Sequence, residues 1–337
     1  MNKKNNDTSI VVDTMGGDFA PDEIIKGSIE AYKSFASNIT LVGDRKKLNL
    51  CAIDNNLDIS PFTIEESKSE VGMGESPSQV LIDKKDSSIY IGSRLVAEGM
   101  GGAFLSAGNT GAAMACSLFN IKRIKGVSRP AIAVVIPLTH SRFVLIDGGA
   151  NADCKPQYLA QFAIMGKVYA ENILGIQDPR VALVNIGEEE KKGSGSAIQS
   201  HRLLKNLKKI KFIGNIEGRE MFTGGADVIV TDGFTGNVIL KVFEGLANMF
   251  FGQIKGVLTS STISKLAALV LKKPIRIMKD KFDYETYGGA LLLGLNAPVI
   301  ISHGSSRAKA VKNAIRVAGE SLKTDLVEKI KKELDLE

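Results

Sequence analysis

Six polar, glycine-containing loops carry most of the side chains in this chain of 337 residues that could bind or react with a ligand. Each loop follows a short, continuous apolar run, and the loops cover residues 13–18, 106–111, 147–151, 185–193, 214–219 and 232–237. Glycine lets backbone N–H groups approach a ligand closely, while Asn, Asp and Ser add short hydrogen-bonding side chains. Six loops of this kind predict a site for a small, polar, anionic ligand.

Two glycine-containing segments lie directly before predicted helices, where free backbone N–H groups and the helix dipole favour an anion. The first contains Asn109 and Thr110, and the second contains His303, Gly304 and Ser305. These residues are candidates for holding the anion. The alternatives are structural. Asn109 or Thr110 would then cap the following helix, and His303, one of three histidines, would only support its turn.

Charged side chains in the other loops offer further chemistry. Lys192 lies beside a glycine and could neutralise an anion or a developing oxyanion, although its cluster of charges is also typical of a solvated surface. Asp147 and Asp232 each end an apolar run before a glycine, so they are candidates for Mg²⁺ ligation or for hydrogen bonds to neighbouring N–H groups. Neither a Walker A sequence nor a dinucleotide-binding glycine fingerprint is present, and we predict no cofactor and no metal.

The elements that must position these loops alternate between strand and helix from residue 9 to about residue 248. This order predicts one α/β domain over residues 1–337, with three α/β/α layers and a mostly parallel, mixed sheet. Ligands of such sheets bind beyond the carboxyl ends of the strands, so we expect all six loops at one edge. Helices are predicted over residues 22–34, 111–119, 156–172, 197–207 and 308–332.

The net charge of +6 is concentrated in one segment. Residues 253–281 contain seven basic residues and one acid, which accounts for the whole excess. No other basic stripe is present and aromatic residues make up only 6%, so nucleic-acid binding is not expected. Scattered Cys51, Cys116 and Cys154 predict a reducing, cytoplasmic location, and no signal core or transmembrane helix is expected.

Residues 253–282 are predicted to form an amphipathic helical hairpin in which Pro274 ends a helix. Its apolar stripe and the lysines that follow comprise Ile263, Leu266, Ala267, Val270, Leu271, Lys272 and Lys273. One interpretation is a helix that packs on the core or at a dimer interface. The other is attachment to an anionic membrane surface, to which each basic residue contributes about 1 kcal/mol.

As an ordered set, the loops resemble the PlsX-type phosphate acyltransferases, which convert acyl-[acyl-carrier protein] and inorganic phosphate into acyl phosphate. The resemblance covers nearly the whole chain. Its matching motifs begin at Asp13, Ser106, Arg129, Asp147, Asn185, Gly214, Asp232, Tyr287 and His303. One departure is Leu291, where the family usually has proline after Tyr-Gly-Gly-Ala.

The resemblance implies a homodimer with a fold like those of isocitrate and isopropylmalate dehydrogenases and phosphate acetyltransferase. It implies loose attachment to the inner face of the cell membrane through the hairpin, and supply of acyl phosphate to a membrane glycerol-3-phosphate acyltransferase. Lys192 and Asn237 match positions that the family uses for activity, and we predict catalytic roles for both and for His303. Substrate-binding or loop-ordering roles are predicted for Asn109, Thr110, Asp147, Asn151, Asn215, Glu217, Asp232, Gly304 and Ser305.

Two other functions are also compatible with the residues. A phosphate acetyltransferase that uses a coenzyme A thioester needs similar loops, and a comparison of thioester donors would separate it from the first function. The other is a membrane-bound scaffold without catalysis, against which the intact polar loops at Asn109, Lys192 and Asn237 argue.

Overall fold

The computed structural model describes residues 8–282 and 287–335 and contains one eleven-stranded mixed sheet with helices on both faces. The strands are β1 (Ile10–Asp13), β2 (Ile39–Gly43), β3 (Thr63–Glu66), β4 (Ala103–Ser106), β5 (Ala131–Pro137), β6 (Arg142–Ile146), β7 (Arg180–Val184), β8 (Lys211–Ile216), β9 (Val228–Val230), β10 (Ala290–Leu293) and β11 (Val299–Ile301). The helices are α1 (Asp22–Phe35), α2 (Arg45–Asp54), α3 (Pro77–Asp83), α4 (Ser88–Ala97), α5 (Thr110–Asn120), α6 (Pro156–Asn172), α7 (Gly195–Lys205), α8 (Gly233–Thr259), α9 (Thr262–Phe282), α10 (Ala308–Lys323) and α11 (Leu326–Glu333).

The core consists of two apolar layers, one on each face of the sheet. Side chains of α1, α6 and α10 bury one face, and side chains of α4 and α5 bury the other. The predicted three-layer α/β/α architecture is therefore confirmed. Each strand of the interior is apolar on both sides because both faces are covered.

Three antiparallel pairings in the middle of the sheet reverse the strand direction. The strand order is β3-β2-β1-β4-β11-β10-β5-β6-β9-β7-β8, and β10 is antiparallel to β11 and to β5, as β5 is to β6. The strands from β3 to β11 in this order are parallel to one another. Those from β6 to β8 are also parallel to one another, but they run the opposite way.

The expectation that all six loops gather at one edge of the sheet is wrong. The first loop group, residues 13–18, 106–111 and 302–307, follows β1, β4 and β11 at one edge. The second loop group, residues 147–151, 185–193, 217–219 and 232–237, follows β6, β7, β8 and β9 at the other. All six apolar runs are strands, as predicted, but a buried apolar run does not report the direction of its strand.

Several boundaries differ from the sequence prediction near the candidate residues. Strand β8 continues to Ile216, so Asn215 lies in a strand and not in a loop. Helix α8 begins at Gly233, so Asn237 lies on a helix. The hairpin is accordingly longer than predicted, because its first arm is the whole of α8.

Two helix ends were placed wrongly. Pro274 lies inside α9, which continues to Phe282. Proline removes the hydrogen bond to the carbonyl of Val270, and because Val270 is exposed, water can satisfy that carbonyl. The C-terminal helix is divided at Asp325, whose positive φ of 49° turns the chain so that Leu326 is buried. Asp adopts this left-handed conformation more readily than most residues.

Candidate active site

The first loop group is held together by close backbone contacts. The amide of Asp18 donates to the carbonyl of Gly304 over 2.8 Å. A Cβ atom on Gly16 would lie 2.7 Å from the Cα of Gly108, so the loops after β1 and β4 pack backbone against backbone. Glycine at position 16 is therefore a packing requirement, and the three loops form one rigid unit.

Asp13, which the sequence analysis did not select, is the buried anchor of this unit. Its carboxylate accepts hydrogen bonds from Ser106 Oγ (2.7 Å) and from the amide of Met15 (3.1 Å). Burial raises the pKa of Asp13, and these hydrogen bonds oppose that rise. The sequence did contain a signal for the role of Asp13, because Asp13 lies at the end of an apolar run, as Asp147 and Asp232 do.

Asn109 is a structural residue in this chain. Its Oδ1 accepts from the amide of Ala112 at 3.0 Å, so it is the N-cap of α5. Its Nδ2 donates to the carbonyls of Gly72, Met73 and Glu75 at 3.2, 2.9 and 2.9 Å. The cap interpretation is thus correct, and the side-chain amide positions the loop rather than facing a ligand.

Asn109→Ala is expected to destabilise the fold by about 1–3 kcal/mol, because it removes a helix cap and the donor to three carbonyl groups. Urea denaturation followed by circular dichroism measures this loss. Thr110→Ala is the matched control, since Thr110 is the next residue and is exposed. The control should change stability by less than about 0.5 kcal/mol. Equal stability of the two variants would contradict the role of Asn109.

His303 and Ser305 present hydrogen-bonding atoms at the surface of the first loop group. The amide of Ser305 donates to His303 Nδ1 over 3.2 Å, and Ser305 Oγ lies 2.8 Å from the same atom. A backbone N–H can only donate, so Nδ1 is an acceptor and Nε2 carries the proton of the neutral ring. His303 is exposed and therefore offers an N–H donor to a ligand. Arg307 lies nearby, with its guanidinium 4.0 Å from the ring centre of Phe19.

In the second loop group, Asp147 is fully buried and accepts five hydrogen bonds. Its Oδ1 accepts from the amides of Ile132, Gly149 and Ala150, and its Oδ2 from the amide and side chain of Asn151, at 2.8–3.1 Å. Burial raises the pKa of Asp147, which the N–H donors oppose. Both oxygens are occupied by N–H groups, so Asp147 orders its loop and has no free oxygen for Mg²⁺.

Helix α8 begins against this loop. The amide of Gly233 donates to the carbonyl of Asn151 over 2.7 Å, and Asn151 Nδ2 also donates to the carbonyl of Pro130 over 2.8 Å. Asp232 caps the helix by accepting from the amide of Thr235 at 2.7 Å. A methyl group on Gly236 would overlap the carbonyl oxygen of Asp147. The loop and the helix start therefore fix one another.

Lys192 and Asn237 are the two predicted catalytic residues of the second loop group. Both side chains are exposed. Within the described ranges, no ion pair involves the Lys192 ammonium and no hydrogen bond involves the Asn237 amide. The backbone of Lys192 is fixed, because its carbonyl accepts from Asn185 Nδ2 (3.0 Å) and its amide donates to Glu189 (3.1 Å). A fixed backbone with an unpaired polar end is suited to binding a ligand.

Asn215 and Glu217 have structural contacts at the end of β8. Asn215 Oδ1 lies 2.8 Å from His201 Nδ1, and its Nδ2 donates to the carbonyl of Glu189 over 2.9 Å. Glu217 forms an ion pair with Arg219 at 3.1 Å. Asn215 thus connects β8 to the loop that carries Lys192.

A pocket of about 290 Å³ with both polar and apolar walls lies where α7 and α8 begin. Its lining includes Cys154, Ser194, Ser196, Asp232 and Thr235. Burial raises the pKa of Cys154 to about 12, so its thiol is not a nucleophile at neutral pH. In the part of the chain that the structure describes, no group of three or more His, Cys, Asp or Glu residues could hold a metal ion.

Comparison with known proteins identifies the family. A family model described as "Fatty acid synthesis protein" matches residues 8–329. A phosphate acyltransferase of Desulfitobacterium hafniense is 47% identical over 326 residues, which cover 96% of this chain and 97% of that protein. The chain belongs to the phosphate acyltransferase family. A further member from Desulforamulus reducens is 46% identical over 330 residues, covering 97% of both chains. The family is one of acyltransferases of lipid biosynthesis, so this chain is an enzyme.

Solved structures of phosphotransacetylases share the fold of this chain. A phosphotransacetylase from Streptococcus pyogenes superposes with a TM-score of 0.65 at 17% identity, covering 95% of this chain and 96% of that chain. A phosphotransacetylase from Staphylococcus aureus gives 0.63 at 17% identity, covering 94% and 95%. At this identity the comparison supports the fold alone, and the predicted fold class is confirmed.

The hairpin of α8 and α9 is exposed. Ile263, Leu266 and Val270 are 81%, 62% and 78% exposed, and Lys272 and Lys273 are exposed as well. The interpretation that this stripe packs on the core is therefore wrong. The two interpretations that remain are a dimer interface and a membrane surface. None of the described helices is long and apolar enough to cross a membrane.

Proposed function

We propose that this chain transfers a fatty acyl group from acyl-[acyl-carrier protein] to inorganic phosphate, giving acyl phosphate for phospholipid synthesis. The observation that carries the proposal is family membership over nearly the full length of the chain. A phosphate oxygen attacks the thioester carbonyl carbon, the C–S bond breaks, and the pantetheine sulfur leaves as a thiolate. A thiol pKa of about 8.5 makes this a moderate leaving group, so the protein must chiefly orient phosphate and balance charge.

The exposed donors of both loop groups support this chemistry. In the proposal, the amides at the start of α5 and the Nε2–H of His303 hold phosphate, with Thr110, Gly304 and Ser305. The first amide of α10, that of Ala308, donates to Glu23 Oε2 over 2.8 Å and takes no part. Lys192 and Asn237 orient phosphate and polarise the thioester carbonyl as negative charge develops on its oxygen. Asn109, Asp147, Asn151, Asn215, Glu217 and Asp232 order the loops, in keeping with their contacts.

The proposal requires that the two loop groups, which follow strands of opposite direction, reach one substrate. Six strand-to-strand steps separate β4 from β7, and a twist of about 20–25° per step turns β7 by roughly 120–150° relative to β4. Because β7 also runs the opposite way, the carboxyl ends of β4 and β7 point within roughly 60° of each other.

Thioester donors distinguish the proposal from its alternatives. Phosphate-dependent cleavage of palmitoyl-carrier protein should exceed that of palmitoyl-coenzyme A, with acyl phosphate trapped as its hydroxamate. A preference for short coenzyme A thioesters would favour phosphate acetyl transfer instead. Absence of cleavage with every donor would contradict the proposal and favour a scaffold.

Homodimer formation is part of the proposal and is tested by the mass of the protein in solution.

The same proposal places the chain in the cytoplasm, attached to the inner face of the membrane by the α8–α9 hairpin near a glycerol-3-phosphate acyltransferase. The exposed apolar stripe on α9 and its lysines support this placement. Apolar side chains and cations on one amphipathic helix favour a surface of anionic lipids.

Lys272→Gln with Lys273→Gln is expected to weaken binding to anionic vesicles by about 2 kcal/mol, roughly 30-fold, because two cations are lost at the surface. Vesicle sedimentation with phosphatidylglycerol, compared with phosphatidylcholine alone, measures this change. Lys122→Gln with Lys125→Gln is the control, because it removes the same charge outside the hairpin. Equal binding of wild type to both vesicle types would contradict the membrane assignment.

A further inference from the structure

A basic loop, residues 121–130, connects α5 to β5. It contains Lys122, Arg123, Lys125 and Arg129, and all four side chains are exposed. Residues 99–146 include no Asp or Glu, so no acid that is near in sequence neutralises these charges. The loop was missed in the sequence, because acids elsewhere in the chain cancel its charge in the total.

Three of the four cations are free to meet a partner. Within residues 8–282 and 287–335, no ion pair or hydrogen bond involves the side chains of Lys122, Lys125 and Arg129. The Arg123 guanidinium donates to the carbonyls of Val127 and Ser128 and so supports the loop itself.

The backbone of the basic loop is fixed at both ends. Asn296 Nδ2 donates to the carbonyls of residues 121–123 over 3.1–3.3 Å. At the other end, Gln161 of α6 accepts from the amide of Ser128 at 2.8 Å and donates to the carbonyl of Gly126 over 3.0 Å. A loop that is already ordered loses little conformational entropy when a partner binds.

The basic loop presents charge without apolar anchors. Its apolar side chains, Ile121, Ile124 and Val127, are buried in the core. Attachment to a membrane surface depends on cations together with exposed apolar side chains, which α9 has and this loop lacks. A rigid, polar and cationic surface fits an acidic protein, because opposite charges steer the two partners together.

The end of the basic loop lies against the second loop group. The carbonyl of Pro130, the residue after Arg129, accepts from Asn151 Nδ2 at 2.8 Å. In the loop that contains Asn151, a Cβ atom on Gly149 would lie 3.5 Å from the Cβ of Asn237. That single loop therefore connects the basic loop to a candidate catalytic residue.

We infer that the basic loop is the docking surface for the acidic carrier protein that delivers the acyl thioester. The inference rests on the proposed function, because a donor attached to a carrier protein needs a protein-binding surface close to the reacting groups. The thioester lies at the end of a pantetheine arm, so the carrier docks beside the catalytic loops and not on them. Exposed charges of this kind chiefly raise the association rate, and salt screens their effect.

Lys125→Glu with Arg129→Glu tests the inference, because it reverses two charges of the basic loop. Arg202→Glu with Lys208→Glu is the matched control, since it reverses one exposed Arg and one exposed Lys near the start of β8, away from the second loop group. The measurement is the kcat/KM for octanoyl-carrier protein divided by that for octanoyl-pantetheine, which lacks the carrier. This ratio should fall at least about tenfold in the first variant, through a raised KM, and change less than about twofold in the control.

An unchanged ratio in Lys125→Glu with Arg129→Glu overturns the inference. Equal losses in this variant and in the control also overturn it, because they would indicate a general electrostatic effect. If the variant instead sediments less with phosphatidylglycerol vesicles while its ratio is unchanged, the loop faces the membrane and the inference is wrong. Lys125→Gln with Arg129→Gln should give a smaller loss in the same direction, and both variants should unfold at the urea concentration of wild type.

Binding of a fluorescently labelled carrier protein is measured in parallel at low and high salt. Wild type should bind more weakly at high salt, and the charge-reversed variant should bind more weakly than the control at low salt. If wild type turns over no donor, the proposed function fails, and this binding measurement still decides whether the carrier docks on the basic loop.

Discussion

Lys192→Ala should lower acyl phosphate formation by about 100-fold or more, equivalent to about 2.7 kcal/mol of transition-state stabilisation. The ammonium is exposed and is held on a loop whose backbone is fixed by Asn185 and Glu189. In the proposed mechanism it balances the charge of phosphate and of the oxyanion that forms during attack. Phosphate-dependent release of free thiol from palmitoyl-carrier protein measures the effect.

Lys191→Ala is the matched control for this experiment, because Lys191 is the adjacent residue, carries the same charge and is also exposed. It should retain activity within about threefold of wild type, in keeping with a solvated surface charge. Both variants should unfold at the urea concentration of wild type. Near-normal turnover of Lys192→Ala would refute its role, and equal losses in both variants would indicate a general electrostatic effect.

Gly236→Ala should destabilise the protein by roughly 3 kcal/mol or more, because the added methyl group overlaps a backbone oxygen that cannot move freely. That oxygen is the carbonyl of Asp147, in a loop held by five hydrogen bonds to the Asp147 carboxylate. Relief would require α8 to shift away from the loop. The midpoint of urea denaturation, compared at one protein concentration, measures the loss.

Gly245→Ala on the same helix is expected to change the stability in the opposite direction. No atom lies within 4 Å of a Cβ at that position, so alanine only improves helix propensity, by about 1 kcal/mol. If Gly236→Ala matches wild type in stability, the contact between α8 and the Asp147 loop is looser than its distances imply. Opposite shifts of the two variants would confirm that the contact, and not glycine in a helix as such, sets the effect.

Local features were predictable from the sequence because neighbouring residues determine them. The six apolar runs are strands, α6 covers the predicted residues 156–172, and Asn109 caps α5. The motifs in the loops identified the family, since their order along the chain is itself sequence information. The amphipathic spacing of Ile263, Leu266 and Val270 also predicted one apolar stripe, which is exposed in the structure.

The candidate site was predicted only in part, because the hydrogen-bond partners of a polar side chain can come from distant parts of the chain. The Asn109 side chain donates to backbone carbonyls in residues 72–75, and the Asp147 carboxylate accepts from the amide of Ile132. No local sequence pattern predicts these partners. Lys192 and Asn237 meet no such neighbour among the described residues. Asp13 was missed for the same reason, since its partner Ser106 lies 93 residues away.

The sequence by itself determined which segments are buried, which loops are polar and which family the chain belongs to. The tertiary structure decided that these loops lie at two edges of the sheet, because the hairpins β5–β6 and β10–β11 pair antiparallel with each other through the remote strands β5 and β10 and so reverse the strand direction. Burial leaves a local pattern in the sequence, whereas the place of each hairpin in the sheet, and with it the strand direction on either side, results from pairing between remote segments. Only that pairing establishes which polar side chains remain free to meet a substrate.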